Sequence, residues 1–378
     1  MSEEKKYQVC TRCVMDTTAE EITFDQNRVC NFCRMFDTEI KPKWIPNNGG
    51  KDKLKEILNT VKEAGRNREH DCIIGLSGGT DSSYVTYLAK KEWKLRPLVF
   101  HVDAGWNTEV ATKNIENLVK KLDIDLFTYV VDWEEMRDLQ LAFLKSGVVS
   151  QDIPQDHVFC ATLYKYISQY NIKYVLTGYN YATESVLPSS WAYNSFDRTH
   201  LKGIHELFGT NDLKTFPTIS FFQRYLYYPF IKGVKIIRPL NYITYTKSEA
   251  LKTLGREVGW RDYKTKHGES TFTKFFQTYF LPKRFGYDKR RAHFSSLILS
   301  GQITRKSALK ELKNPPYGER ETEELKIYVA KKLRIGVQEL ENFIKLPKKT
   351  YRDFPNEAYL LNLLKFIDRL VGKRPVGI

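Results

Sequence analysis

One stretch narrows the possible folds more than any other. Cys72-Ile73-Ile74-Gly75-Leu76 is an apolar run of strand length, and it leads straight into Ser77-Gly78-Gly79-Thr80-Asp81-Ser82-Ser83 ahead of a helical pattern. A strand apolar on both alternating faces must be covered on both sides, as in a parallel sheet. Further strands are expected at 96–102, 126–131 and 173–177, with helices at 82–91, 109–122 and 159–170 between them. That alternation specifies an α/β fold with a doubly wound parallel sheet, whose ligands bind beyond the C-terminal ends of the strands. The loop itself suits phosphate. Two glycines allow a tight turn and close backbone approach, and amides at the helix start point at an anion. Ser77, Ser82 and Ser83 add hydroxyl donors. Asp81 would repel phosphate unless a cation lay between them, so it implies Mg2+. No lysine follows the glycines in the manner of a Walker loop.

Four of the six cysteines form Cys10-x-x-Cys13 and Cys30-x-x-Cys33, with 16 residues between the pairs. Two such knuckles can bring four thiolates into the tetrahedron that suits a structural Zn2+. Cys72 reads as core, and Cys160 stands apart as a lone thiol.

Charge is uneven along the chain. Residues 1–246 carry 31 basic and 30 acidic side chains, net +1, whereas residues 247–378 carry 29 and 15, net +14. The excess in the C-terminal third calls for an anionic partner: nucleic acid, a membrane surface or a phosphorylated substrate. No apolar run approaches the roughly 20 residues that span a bilayer, and the first residues contain no apolar signal segment. A cytoplasmic protein without membrane insertion is expected.

The loop resembles the pyrophosphate-binding loop of the PP-loop ATP pyrophosphatase family, the adenine nucleotide alpha hydrolase-like proteins. Three later segments fit in order. His101-Val102-Asp103-Ala104-Gly105-Trp106 ends the second strand, where the family holds adenosine by backbone contacts. Thr177-Gly178-Tyr179-Asn180-Tyr181-Ala182-Thr183-Glu184 sits where the tRNA thiolases have G-H-N-x-D-D-E, with Ala182 and Thr183 in place of carboxylates. Arg238-Pro239-Leu240 and Thr246-Lys247-Ser248-Glu249 match a segment whose lysine contacts the phosphates. The resemblance implies ATP on Ser77, Gly78, Gly79, Asp81, Ser82, Ser83, Val102 and Gly178. It implies Mg2+ on Asp81 and Glu184, with Asp81 and Lys247 as catalytic residues.

Residues 260–306 resemble one subgroup closely, the N-acetyl sugar amidotransferases of bacterial surface-polysaccharide (O-antigen) biosynthesis. The shared runs are K-H-x-E-S-x-F-T-x-F-x-Q from Lys266 and L-P-x-x-F-G-x-D-x-R-x-x-H-x-S-S-L-I from Leu281, with a cysteine-paired N-terminus ahead of them. Three parts are then expected: a zinc-ribbon-like module (1–45), an ATP pyrophosphatase domain (46–258) and a basic, mainly helical region (259–378). The resemblance implies an enzyme that adenylylates the acetamido oxygen of a nucleotide-linked uronic acid sugar and replaces it with ammonia. Lys266, His267, Glu269, Ser270, Arg284, Lys289, Arg290 and His293 are expected to face the loop and bind that anionic acceptor. No glutaminase nucleophile stands in the sequence, so ammonia is expected from a separate glutaminase; the resemblance implies a class I glutaminase with a companion channelling barrel protein. The rival reading is tRNA thiolation. That chemistry often uses a cysteine pair, and here Cys160 is single; nucleic acid is therefore not the expected partner.

Overall fold

The computed structural model describes residues 6–263, 266 and 268–371, with side chains described through residue 367. Five parallel strands, β1 (Cys72–Gly75), β2 (Pro97–Asp103), β3 (Leu126–Val130), β4 (Tyr174–Leu176) and β5 (Lys235–Ile237), form one sheet in the order β3-β2-β1-β4-β5. Seven helices surround it: α1 (Asn48–Gly65), α2 (Thr80–Tyr87), α3 (Glu109–Leu122), α4 (Trp133–Ser146), α5 (Ile153–Gln169), α6 (Arg198–Phe208) and α7 (Lys247–Val258). Alternation along β1 divides the core. Cys72, Ile74 and Leu76 join one buried cluster with Leu54 of α1, Val85 of α2, Leu118 of α3 and Leu254 of α7. Ile73 joins the other, with Leu139 of α4, Val158 of α5 and Leu201 of α6. Burial on both faces explains why β1 reads as continuously apolar.

The sheet matches the expected doubly wound class, with two differences. β5 is a fifth strand, too short and too mixed in character to stand out in the sequence; it pairs with β4 through Val175–Ile236. α5 begins at Ile153, not near 159, because Pro154 sits in its first turn, where a missing N–H costs nothing. Successive strands are added on one side of β1 up to β3 and on its other side from β4, which places the switch point of the sheet beside the loop after β1.

The N-terminal knuckles converge. The sulfurs of Cys10, Cys13, Cys30 and Cys33 all lie within 4.8 Å of one another and are buried. Separations of 3.8 Å (Cys10–Cys33), 3.6 Å (Cys13–Cys30) and 3.7 Å (Cys30–Cys33) equal, within about 0.2 Å, the edge of a tetrahedron with Zn–S bonds of about 2.3 Å. Backbone N–H groups of Arg12, Cys13 and Cys30 point at Cys10 Sγ at 3.3–3.4 Å, as donors to thiolate do. The four-cysteine cluster therefore fits zinc.

The C-terminal region is helical: α8 (Thr271–Phe275), α9 (Lys289–Leu299), α10 (Arg305–Leu312), α11 (Glu319–Leu333), α12 (Val337–Lys345) and α13 (Ala358–Val371). α9 and α10 carry the cysteine module. Arg305 donates to the carbonyls of Cys10 (2.7 Å) and Cys13 (2.9 Å). Arg291 donates to Val14 O at 2.9 Å and pairs with buried Asp16 at 2.8 Å. No helix among the described residues is long and apolar enough to cross a membrane.

The Arg291–Asp16 pair predicts a specific stability pattern. Arg291→Leu leaves Asp16 buried without its cation and should cost about 3 kcal/mol in urea unfolding. Adding Asp16→Asn should recover most of that loss. A single variant as stable as the parent would show that the pair does not hold the module in place.

Candidate active site

The loop after β1 turns on Gly78, whose φ of +86° strains any residue with a side chain. Its carbonyl accepts a bond from Tyr263 Oη at 2.7 Å, and Asn114 of α3 holds that hydroxyl at 3.1 Å. Ser77 Oγ and Ser82 Oγ lie 3.1 Å apart across the turn, and Gly79 N donates to Ser77 Oγ at 3.2 Å. Gly178, beyond β4, packs directly on the start of α2. A Cβ there would come within 2.7 Å of Ser82 N and 2.6 Å of the Asp81 carbonyl carbon. Only glycine lets the two strand ends approach so closely.

A cleft of about 220 Å3 opens over this junction. Ser77, Gly79, Asp81, Ser82 and Gly178 form its floor, and Glu184 and Lys247 stand at its sides. Lys266, Glu269 and His293 close it from the C-terminal region. Asp81 is the electrostatic centre. Desolvation first, and the neighbouring Glu184 carboxylate second, hold its pKa above the ordinary carboxylate value, against the pull of Lys266, Tyr245 and Lys247. Tyr245 Oη donates to Asp81 Oδ1 and Thr183 Oγ1 to Oδ2 at 3.4 Å. Lys266 pairs with Glu184 at 2.9 Å. Two carboxylates on one cleft, one of them desolvated, form a donor set that suits a hard divalent cation. The Thr183 hydroxyl also lies 3.1 Å from Asn180 Oδ1, so it stands between the two acceptors.

A second cavity, of about 510 Å3, shares Ser77, Phe159 and Glu269 with the first. It runs between the end of β2 and the start of α5, and Val102, Ser270 and Lys289 line it. His101 lies on its wall, Nδ1 at 2.7 Å from Leu76 O and Nε2 at 2.8 Å from Asn107 Nδ2. With Nδ1 donating to the carbonyl, Nε2 accepts from the amide. Burial holds the pKa of this imidazole below its usual value.

Not all the expected residues gather here. Ser83 is buried in the first turn of α2, away from the cleft lining. Arg284 is a correction: it is buried, and it donates to the carbonyls of Ile344 (3.0 Å), Pro347 (2.9 Å) and Gly147 (3.2 Å). Carbonyls at the end of α12 have no helical partners, and a guanidinium satisfies several at once. Arg290 is a second correction. It pairs with Asp288 at 2.7 Å and donates to Asn314 O at 2.7 Å beyond the end of α10. His267 lies outside the described residues. The sequence reading singled out Thr183 only as a departure from the thiolase carboxylates, and it missed Tyr245, Tyr263 and Phe159. Nothing distinguishes them from core residues until the fold places them around Asp81.

The raised pKa of Asp81 fixes the sign of a stability effect. Folding favours its protonated form, so its contribution is intact at low pH and is lost as pH rises through the folded-state value. Asp81→Asn should therefore raise the Tm of the ligand-free protein at pH 8, with the gain shrinking toward pH 4. A lower Tm at pH 8 would mean that the carboxylate is stabilised where it sits.

Comparison with known proteins adds relatives for parts of the chain. Over 129 residues it is 30% identical to the uncharacterized protein MJ1599 of Methanocaldococcus jannaschii, covering 34% of this chain and 44% of that protein, so it spans under half of that relative's length. Among solved structures it is similar to the NMN synthetase of Francisella tularensis, with TM-score 0.37 and 16% identity over 70% of this chain and 91% of that one. It is also similar to the U34-tRNA thiolase NcsA of Methanococcus maripaludis, with TM-score 0.32 and 14% identity over 81% and 88%. The segment that brings Glu269, Ser270, Lys289 and His293 to the two cavities, residues 269–370, matches the family model described as LPS biosynthesis protein WbpG-like, C-terminal domain.

Proposed function

We propose that this chain is an ATP-dependent amidotransferase acting on the acetamido group of a nucleotide-linked sugar in surface-polysaccharide biosynthesis. The observation that carries the reading is the junction of two parts. A glycine-rich loop at the switch point of a parallel sheet meets Glu269 and His293, which belong to the segment similar to the WbpG-like C-terminal domain.

The chemistry fits the groups present. An amide oxygen is a poor leaving group, so it must first be activated. The acetamido oxygen attacks the α-phosphorus of ATP, the bond to the β-phosphate oxygen breaks, and pyrophosphate leaves. Ammonia then adds to the imidate carbon, AMP departs with the former amide oxygen, and loss of a proton gives the acetamidino group. The loop amides and Ser77 and Ser82 would cradle the pyrophosphate, and Lys247 would offset its growing charge. Mg2+ held by Asp81 and Glu184 would supply further charge neutralisation at the phosphates. His293 is the candidate base. Its Nδ1 lies 3.3 Å from Thr183 O, which fixes the proton there and leaves Nε2 as the basic nitrogen. Ammonia comes from a separate class I glutaminase through a companion barrel protein. The cysteine cluster holds a structural Zn2+ that braces α9.

Cys160 favours amidation over sulfur transfer to tRNA. It is buried in α5 and lines neither cavity. Burial pushes its thiol up to about 11, the opposite of what a persulfide carrier needs.

The test is pyrophosphate release by purified protein with ATP, Mg2+, ammonium and acetamido sugar nucleotides, with bulk tRNA as the alternative acceptor. Asp81→Ala should lower the rate at least about 100-fold, the scale of losing a charge-stabilising group. Cys160→Ser should leave it within about twofold, and metal analysis should find one zinc per chain. Turnover with tRNA that is lost in Cys160→Ser would establish thiolation instead.

A further inference from the structure

Resting on the amidation reading, we propose that the α5 wall of the second cavity, formed by Asp152, Gln155 and Asp156 with Lys289 facing it, is the subsite for the sugar ring of the acceptor. Position comes first. The cavity joins the nucleotide cleft at Ser77, Phe159 and Glu269, so a group held in it lies next to the loop that grips the phosphates. The cleft of about 220 Å3 is small for more than a polyphosphate chain, whereas about 510 Å3 accommodates a pyranose ring with its acetamido arm.

The wall has the chemistry of hydroxyl recognition. Asp152 Oδ1 accepts from Thr273 Oγ1, Asp156 Oδ2 from Ser195 Oγ, and Gln155 Oε1 from Ser270 Oγ, each at 3.0 Å. Three adjacent acceptors are thus already bonded to aliphatic hydroxyls, the group a sugar presents. Carboxylate oxygens accept more than one such bond, so a ring can add to the set or displace its members. Rigid aromatic surface completes the cavity. Tyr193, half-buried and stacked on Tyr351 at 4.2 Å, is fixed before a ligand arrives, and such a ring suits the C–H side of a pyranose. Trp191, fully buried and stacked on Tyr287, backs the wall.

Burial lowers the pKa of Lys289, and Asp152 and Asp156 oppose that shift. An ammonium beside two acceptors offers a ring hydroxyl both a donor and acceptors on one wall. Val102, implied for the nucleotide, lines the same cavity from β2, so the ring is assigned to the α5 side.

Calorimetric titration of wild-type, Gln155→Ala and Asp156→Ala proteins tests this, using α,β-methylene-ATP with Mg2+ and a panel of UDP-linked 2-acetamido hexoses and hexuronates. The sugar-nucleotide Kd should rise about tenfold in each variant, the scale of one lost hydrogen bond to a charged or buried partner. The Kd for the ATP analogue and the urea midpoint should stay within about twofold and within error, respectively. Equal weakening of both ligands, or an unchanged sugar Kd, would overturn the subsite. Wild-type protein that binds no member of the panel and releases no pyrophosphate with any of them would overturn the amidation reading itself, a result distinct from the other two.

Discussion

A desolvated carboxylate at the end of a parallel strand organises this molecule. Asp81 sits where α2 begins and where Gly178 brings β4 against β1, so it cannot move out to water without separating two strand ends. Glu184 adds a second negative charge beside it. The surroundings answer with Tyr245, Thr183, Lys247 and Lys266, drawn from three separated segments of the chain. Of these, Lys266 belongs to the stretch just ahead of α8. The cleft over the glycine-rich loop is thus completed by the C-terminal region, and a sheet domain ending near residue 258 would leave the carboxylates short of a cation.

The same region is fixed from its other side. α9 lies between the cysteine module and the cleft. Arg291 and Ser295 bond the module at Val14, while His293 and Ser296 bond the segment that carries Thr183, Glu184 and Val186. A helix held on two faces has little freedom to tilt, and Lys289 and His293 inherit that rigidity. A zinc held by the four cysteines would thereby have a physical route to the cleft. The tetrahedron fixes the backbone of residues 10–16, and that backbone fixes α9.

What could be read from the sequence followed from local pattern. β1 to β4 and the helix at Glu109–Leu122 were legible because apolar periodicity and turn residues agree along each segment. The loop and the cysteine knuckles were legible because their chemistry depends on close spacing. β5 was not, since three residues carry no period. Arg284 and Arg290 misled because a cation near aromatics and histidines looks the same whether it faces a ligand or a helix end. Only the fold shows that α12 and α10 end beside them with unpaired carbonyls. Tyr245 carried no signal, since its role arises from proximity to Asp81 across more than 100 residues of chain.

The net charge of +14 after residue 246 consequently has a different meaning from the one its sum suggests. Arg284, Arg290, Arg291 and Arg305 are engaged with backbone carbonyls and carboxylates within the protein rather than lining the cleft. Among the described residues, Lys247, Lys266 and Lys289 line the two cavities together with Asp81, Glu184, Glu269, Asp152 and Asp156. In the amidation reading, a triphosphate at the loop would meet the carboxylates of Asp81 and Glu184, and the cation accompanying it would turn that repulsion into attraction.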